Sequence, residues 1–256
     1  MKHVAAVLVA LAVLHGARAA APEESRLALV IGNAAYSRPD AKLANAANDA
    51  RLVAETLREL GFRVRLLEEA DHAAMRRAIR EFEDELRRER GVALLYFAGH
   101  GAQLEGHNYL MPVRASVMNE LELRGRTVDA TELIERLHAT GSRLNIVILD
   151  ACRNNPLYKP TVNARGLNAR VGLASVRPAA GTVVAFATES GRVASDGSTG
   201  HGVYAKYLVH YMRTPGLPLE QLFKRVREAV AAETKGRQVP VEFSTLTGAD
   251  FYFVRP

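Results

Sequence analysis

Three near-continuous apolar runs constrain the fold of this chain more than any other feature of its sequence. They cover residues 92–98 (VALLYFA), 144–149 (LNIVIL) and 182–187 (TVVAFA). Runs of this kind are typical of central strands that are covered on both faces in a mostly parallel sheet. Two shorter runs, at residues 26–31 and 62–67, predict further strands of the same sheet.

Amphipathic segments alternate with these strands. The spacing of apolar residues predicts helices over residues 43–60, 72–88, 202–212 and 219–233, and a last strand over residues 251–254. Residues 99–126 and 153–181 are expected to be irregular. The alternation predicts an α/β fold in one domain, a three-layer α/β/α sandwich with a mostly parallel central sheet. A ligand site is then expected at the carboxyl ends of the strands.

The N-terminus has the composition of a secretory signal peptide over residues 1–21. Lys2 precedes an apolar run at residues 4–14, and small residues around Ala19 and Ala21 suit signal peptidase. The run is short of the roughly 20 residues that span a bilayer, although a retained anchor is the alternative. We therefore predict a mature domain of residues 22–256 that is periplasmic or secreted and does not associate with a membrane after cleavage.

The chain has one cysteine among its 256 residues. An intramolecular disulfide framework and a zinc site built on several thiolates are therefore excluded. Lys and Arg number 34 against 28 Asp and Glu, a formal charge of +6 that falls short of an arginine-rich nucleic-acid arm, so we predict no nucleic-acid partner. An unpaired thiol in an exported protein suggests reactive use, and an inert buried cysteine is the alternative.

Reactive groups follow two of the predicted strands. Gly99-His100-Gly101 comes after the first long run, and Asp150-Ala151-Cys152 comes after the second. In a parallel sheet both segments emerge at one edge, so the imidazole of His100 and the thiol of Cys152 are expected to meet there. An imidazole raises the nucleophilicity of a thiol whose ordinary pKa is near 8.5. The N–H groups of Gly101 and Cys152 are candidate oxyanion donors.

These motifs resemble those of the caspase-like cysteine peptidases, particularly the bacterial relatives of metacaspases. The resemblance runs from about residue 26 to residue 254 and is carried by the segments YFAGHG (96–101), LDACR (149–153), ALVIGN (28–33), ANDA (47–50), AT to ASDG (187–197) and FYF (251–253). It implies a caspase-type α/β/α sandwich and an endopeptidase with a Cys–His dyad, in which Cys152 is the nucleophile and His100 the general acid and base.

The resemblance also implies which side chains select the substrate. In metacaspase-like members, acids at the positions of Asp150 and Asp49 line the pocket for the residue before the cleaved bond. Two carboxylates in a narrow cleft select Arg or Lys, because a guanidinium pairs bidentately with a carboxylate. A structural role is the alternative for Asp150, and a charge at a helix N-terminus is the alternative for Asp49. Glu189 and Asp196 are expected to be solvated or to add charge to the rim.

Cations in the second irregular segment are either solvated or sites of self-cleavage: Arg153, Lys159, Arg165, Arg170 and Arg177. His107 and His201, each beside a glycine, are expected to be ordinary loop histidines. No cluster has the spacing of metal ligands, and no segment is typical of a calcium loop. The predicted chemistry requires no cofactor, although some metacaspase-like relatives respond to calcium and a calcium dependence stays open as the alternative.

Three functions agree with these residues. The first is a cysteine endopeptidase acting on a peptide or protein substrate after basic residues. The second is a binding or regulatory module that keeps the fold without proteolysis. The third is a redox-sensing thiol protein or a non-proteolytic acyl-transfer enzyme that uses the same cysteine.

Overall fold

The helices and strands follow the predicted alternation. The computed structural model describes residues 24–152, 176, 178–189 and 200–256, and it describes Cys152 by its backbone alone. The strands are β1 (Arg26–Gly32), β2 (Arg63–Glu68), β3 (Val92–Leu104), β4 (His107–Leu110), β5 (Val128–Asp129), β6 (Leu144–Cys152), β7 (Thr182–Phe186) and β8 (Val241–Ser244). The helices are α1 (Ala46–Glu59), α2 (His72–Glu89), α3 (Glu120–Arg126), α4 (Ala130–Ala139), α5 (Val203–Met212) and α6 (Leu219–Glu233). A short 3-10 helix covers Pro39–Ala41.

The central sheet has the strand order β2-β1-β3-β6-β7-β8. All of its neighbours are parallel except β7 and β8, which are antiparallel. The strands β4 and β5 lie off this path, with β4 antiparallel to the extension of β3. The mostly parallel sheet predicted from the apolar runs is confirmed.

Helices cover both faces of the sheet. One core packs α1, α5 and α6 against alternate strand residues such as Val30, Leu94 and Ile148. The other core packs α2 and α4 against the intervening residues, such as Leu29 and Val147. Side chains of successive strand residues point to opposite faces, so a run that is apolar at every position supplies both cores. The three-layer α/β/α sandwich is therefore confirmed. Within the ranges given above, no helix is both long and apolar enough to cross a membrane.

The strand predicted at residues 251–254 is wrong, and the last strand of the sheet is β8. Tyr252 makes only an isolated bridge to Pro218. Phe251 and Phe253 are buried in the first core, and the Arg26 guanidinium donates hydrogen bonds to the carbonyls of Tyr252 and Phe253. Phe251 and Phe253 pack onto the core although the segment is irregular. Because every second residue is buried, its sequence has the same alternation as a strand.

The segment 99–126, predicted to be irregular, is largely ordered secondary structure. Strand β3 continues past Ala98 as far as Leu104 and returns as β4, and α3 follows. The glycines of Gly99-His100-Gly101 indicated a stop, but a glycine inside a strand also permits close approach of another group. A Cβ on Gly99 would lie 2.7 Å from the Tyr36 hydroxyl oxygen.

Helix α4 was not predicted, although its sequence carries a start signal. The Asp129 side chain accepts hydrogen bonds from the N–H groups of Thr131 and Glu132, which caps the helix. Leu133, Ile134 and Leu137 then face the second core. The predicted signal peptide and most of the irregular segment 153–181 lie outside the described residues.

Candidate active site

The ends of two central strands bring His100 and Cys152 together. Their Cα positions are partners in the parallel ladder between β3 and β6, and Cys152 is the last residue of β6. Neighbouring strands are about 4.8 Å apart. The fold therefore places the sole thiol-bearing residue of the sequence next to the histidine that the motif singles out.

The backbone of His100 is fixed by a buried tyrosine. The His100 N–H donates a hydrogen bond of 2.8 Å to the Tyr36 hydroxyl, and that hydroxyl donates one of 3.1 Å to the Met111 carbonyl. The rings of Tyr36 and His100 are 4.5 Å apart between centroids. The absence of a side chain on Gly99 lets the Tyr36 hydroxyl approach. Tyr36 therefore fills the space beside His100 that Gly99 leaves free.

The imidazole of His100 has one nitrogen engaged and one nitrogen available. Its Nε2 lies 2.7 Å from the Ala41 carbonyl oxygen. A carbonyl only accepts, so Nε2 carries the proton in the neutral ring and Nδ1 carries the lone pair. Nδ1 is buried and has no hydrogen-bond partner among the described residues. This tautomer is the one in which Nδ1 can take a proton from a neighbouring group.

The protonation state of His100 favours the same role. The side chain is 3% exposed, and burial lowers its pKa from the usual value, while the hydrogen bond to Ala41 acts in the opposite direction. A lowered pKa keeps the ring neutral at physiological pH. A neutral ring with an open Nδ1 can act as a base toward a thiol.

Asp150 lies at the same end of the sheet, on the face covered by α1 and α5. It is half-buried, and its Oδ2 accepts a hydrogen bond of 2.9 Å from the buried hydroxyl of Tyr96. Burial raises the pKa of Tyr96 well above its usual range, and the charges of Asp150 and Asp49 add to this effect. The negative charges of both predicted acids therefore raise the pKa of the same tyrosine.

Asp49 joins the first turn of α1 to the start of α5. It is 5% exposed, and the N–H of Gly202 lies 3.0 Å and 3.1 Å from its two carboxylate oxygens. The Nδ1 of His201 is 3.2 Å from its Oδ1, and Asn48 donates to the Gly200 carbonyl at 3.2 Å. We call these five residues the α1–α5 contact. Asp49 therefore has a structural role, because its carboxylate joins α1 to the start of α5.

Two histidines expected to be ordinary loop residues have acidic partners. His201 contacts Asp49 as described, and the Nδ1 of His107 lies 2.8 Å from Oδ2 of Asp129. Among the other predicted residues, Gly101 pairs with Leu110 in the β3–β4 ladder. Glu189 is half-buried. Asp196 and the cations proposed for self-cleavage lie outside the described residues.

Sequence reasoning missed the residues that hold the dyad in place. Tyr36 lies in the irregular segment after β1 and Ala41 at the end of the short 3-10 helix, where no periodicity marks them. Tyr96 had a usable signal, because a tyrosine in a fully buried strand needs a partner for its hydroxyl. Within the described part of the chain, no group of three or more His, Cys, Asp or Glu side chains could hold a metal ion.

Comparisons with known proteins agree with this architecture. The model of the caspase domain family matches residues 25–252. Human mucosa-associated lymphoid tissue lymphoma translocation protein 1 is 29% identical over 189 residues, which cover 72% of this chain and 21% of that protein. The homologous mouse protein is 28% identical over the same shares. The match thus spans about a fifth of the length of these relatives.

The fold has a solved counterpart. The crystal structure of caspase-1 from Spodoptera frugiperda superposes with a TM-score of 0.67 at 17% identity, covering 91% of each chain. Identity at this level shows the fold alone. Since the family model covers nearly all of the predicted mature domain, the chain belongs to the caspase domain family of cysteine peptidases.

Proposed function

We propose that this caspase-domain protein is a cysteine endopeptidase that cleaves peptide bonds after Arg or Lys. The observation that carries the proposal is the pairing of His100 with Cys152 across β3 and β6, together with the open Nδ1 of His100. A base beside the position of the sole cysteine supports nucleophilic catalysis by a thiol.

The proposed reaction begins with transfer of the Cys152 thiol proton to Nδ1 of His100. The thiolate attacks the carbonyl carbon, a C–S bond forms, and the carbonyl electron pair moves to oxygen. We assign stabilisation of that oxyanion to the N–H groups of Gly101 and Cys152. The tetrahedral intermediate then collapses, the C–N bond breaks, and the imidazolium returns its proton to the leaving amine.

Hydrolysis of the thioester completes the cycle. A water molecule gives a proton to Nδ1 as its oxygen attacks the acyl carbon. The C–S bond then breaks to release the carboxylic acid, and the imidazolium returns its proton to the sulfur, which restores the thiol. Throughout, the Ala41 carbonyl holds Nε2–H, which keeps Nδ1 directed at the reacting atoms and stabilises the imidazolium. The scheme itself uses only groups of this chain.

Negative charge supports the preference for a basic side chain. Asp150 is the more exposed of the two acids, and we assign it the contact with the guanidinium or ammonium group of the substrate. Asp49 is buried and shares its carboxylate with Gly202, so it adds negative potential and fixes the wall of the pocket. An aspartate at the same substrate position would be repelled.

Peptidase activity is tested with matched fluorogenic peptides that end in Arg, Lys, Asp or Leu, under reducing conditions. We expect turnover of the Arg and Lys peptides by residues 22–256 and none by the Cys152→Ala variant. An electrophile with an arginyl group should label Cys152, and its aspartyl counterpart should not. Equal turnover by the variant would refute the proposal. Labelling without turnover would favour a binding module, and oxidation of Cys152 without either would favour a redox role.

We also propose that residues 1–21 export the protein to the periplasm or the exterior. The apolar run after Lys2 and the small residues around Ala19 and Ala21 support this. Expression of residues 1–256 in a bacterium with a periplasm should yield a soluble extracytoplasmic chain that begins at Ala20 or Pro22. An intact chain in the membrane fraction would instead support a retained anchor.

A further inference from the structure

A cavity between α2 and α4 lies on the face of the sheet that α1 and α5 do not cover. Its volume is about 450 Å³, and the segment from Arg124 to Asp129 forms one wall. This volume lies within the range of small-molecule sites, roughly 300–1,000 Å³. The site is separate from the His100 and Cys152 pair and does not rest on the proposed function.

One row of α2 presents basic residues to this cavity. His72, Arg76 and Arg80 are spaced four residues apart and all line it. Like charges at this spacing repel each other on a helix surface. Burial lowers the pKa of His72, and the charge of Arg76 lowers it further. Interactions within the helix therefore do not explain why these basic residues lie in one row.

The second half of α2 shows the usual arrangement for comparison. There, Arg87 pairs with Asp84 at 2.6 Å, three residues away. No hydrogen bond or ion pair engages Arg76 or Arg80 within the described ranges. Both arginines of the row are thus available to a ligand, whereas Arg87 is engaged by Asp84.

The acidic residues of the cavity already have partners. Glu83 is buried and pairs with Arg136 at 2.8 Å, and Glu132 pairs with the same arginine at 3.1 Å. Asp129 contacts His107 at 2.8 Å and caps α4. Each of these carboxylates thus has a contact of its own, whereas Arg76 and Arg80 have none within the described residues.

We propose that the cavity between α2 and α4 binds a small multivalent oxyanion of the phosphate class, with Arg76 and Arg80 as its principal ligands. Guanidinium groups present planar pairs of donors that match phosphate oxygens, and two of them one turn apart suit a di- or trianion better than a single carboxylate. Arg124, which donates to the Tyr109 hydroxyl at 3.2 Å, bounds the site on the opposite wall.

Isothermal titration of residues 22–256 with pyrophosphate, at constant ionic strength, tests this site. We expect saturable binding with one site per chain. Arg76→Gln/Arg80→Gln should weaken the affinity at least about tenfold, because both principal donors are lost. The matched control, Lys224→Gln/Arg225→Gln, removes the same charge from exposed positions on α6 and should change the affinity less than about twofold.

Two results would overturn the proposal. Absence of saturable binding would show that the cavity does not take this class of anion. Equal weakening by the two double variants would show that net charge, not the α2 row, attracts pyrophosphate. Circular dichroism and thermal unfolding of each variant confirm that it is folded, which we expect because all four side chains are exposed.

Discussion

His100 and Asp49 differ in how many of their polar side-chain atoms the surrounding residues engage. His100 has its backbone N–H and its Nε2 engaged by Tyr36 and the Ala41 carbonyl, and its Nδ1 has no hydrogen-bond partner among the side chains that the structure describes. Asp49 has both carboxylate oxygens engaged by the N–H of Gly202. Both side chains are buried and held by hydrogen bonds. His100 nevertheless keeps one ring nitrogen for chemistry, whereas the carboxylate of Asp49 mainly joins α1 to α5.

Asp150 is intermediate between these two cases. It accepts from the Tyr96 hydroxyl through Oδ2 and is half-buried. Compared with Asp49, it has more contact with solvent at the end of the sheet where Cys152 lies. We therefore propose proton transfer for His100, substrate contact for Asp150 and a mainly structural part for Asp49. Substitutions at these positions should separate the three roles.

The largest effect is expected from His100→Gln. Glutamine can keep a donor toward the Ala41 carbonyl but supplies no base in place of Nδ1, so kcat/KM for an Arg peptide should fall by about 10³-fold. The control is His210→Gln, an exposed histidine on α5, which should retain nearly all activity. If kcat/KM of His100→Gln lies within about tenfold of the wild-type value, His100 is not the base of the reaction.

Asp150→Asn and Asp49→Asn should affect different measurements. Asp150→Asn should lower kcat/KM for an Arg peptide about 100-fold and that for a Leu peptide much less, because a charge partner of the substrate is lost.

Asp49→Asn should lower the free energy of unfolding by about 1.5–3 kcal/mol, because hydrogen bonds to a buried charge are weakened. Its effect on the Arg-to-Leu ratio should be the smaller of the two.

A matched acid elsewhere controls for the change in net charge. Asp84→Asn on α2 removes an exposed carboxylate from a surface pair and should change both the unfolding free energy and the peptide preference little. If Asp49→Asn reduces the Arg preference as strongly as Asp150→Asn and leaves stability intact, the division between the two acids is wrong.

The central strands could be predicted from the sequence because their signal is local, although β3 and β6 continue beyond the apolar runs to Leu104 and Cys152. Apolar runs at every position mark the central strands, and the residues after those runs are then placed at one edge by topology alone. His100, Cys152 and Asp150 follow from this rule. The strands β1, β2, β3, β6 and β7 and the helices α1, α2, α5 and α6 are confirmed for the same reason, whereas β4, β5, β8, α3 and α4 were not predicted.

The partners of these residues could not be predicted in this way. Tyr36 and Ala41 are far from His100 in sequence and contact it through a hydroxyl and a backbone carbonyl, groups that no hydrophobic period marks. The contact of Asp49 with Gly202 joins positions more than 150 residues apart. Such contacts depend on how loops pack over the end of the sheet, and only Gly99 hinted at one of them through its lack of a side chain.

Tyr36→Phe should test whether the positioning of His100 matters for catalysis. The variant leaves the His100 N–H and the Met111 carbonyl without the hydroxyl, which should lower the free energy of unfolding by about 1–3 kcal/mol. It should lower kcat about tenfold with little change in KM, since the base is displaced but substrate contacts remain.

Tyr204→Phe is the matched control for this loss. Tyr204 is also buried, but its hydroxyl has no hydrogen-bond partner within the part of the chain that the structure describes. Removing a hydroxyl without a partner should be neutral or stabilising. Equal losses of stability and kcat in the two variants would show that Tyr36 contributes through packing and not through its hydrogen bonds.

The smallest expected effect is a pH dependence of stability that His100 causes. Burial lowers the pKa of His100 below its usual value of 6.5 in the folded state. As the pH falls through that value, the unfolded chain takes up the proton first, so the unfolded state binds more protons and the free energy of unfolding decreases. The loss begins near the unfolded value and is complete only below the folded one.

The difference between wild type and His100→Gln isolates this contribution, because the carboxylates that also titrate are common to both proteins. Chemical unfolding at about pH 7.5 and about pH 5 should show a larger loss of stability for wild type than for the variant. An equal loss would mean that the imidazole keeps its usual pKa in the fold. The burial of the ring would then not be what keeps His100 neutral and ready to act as a base.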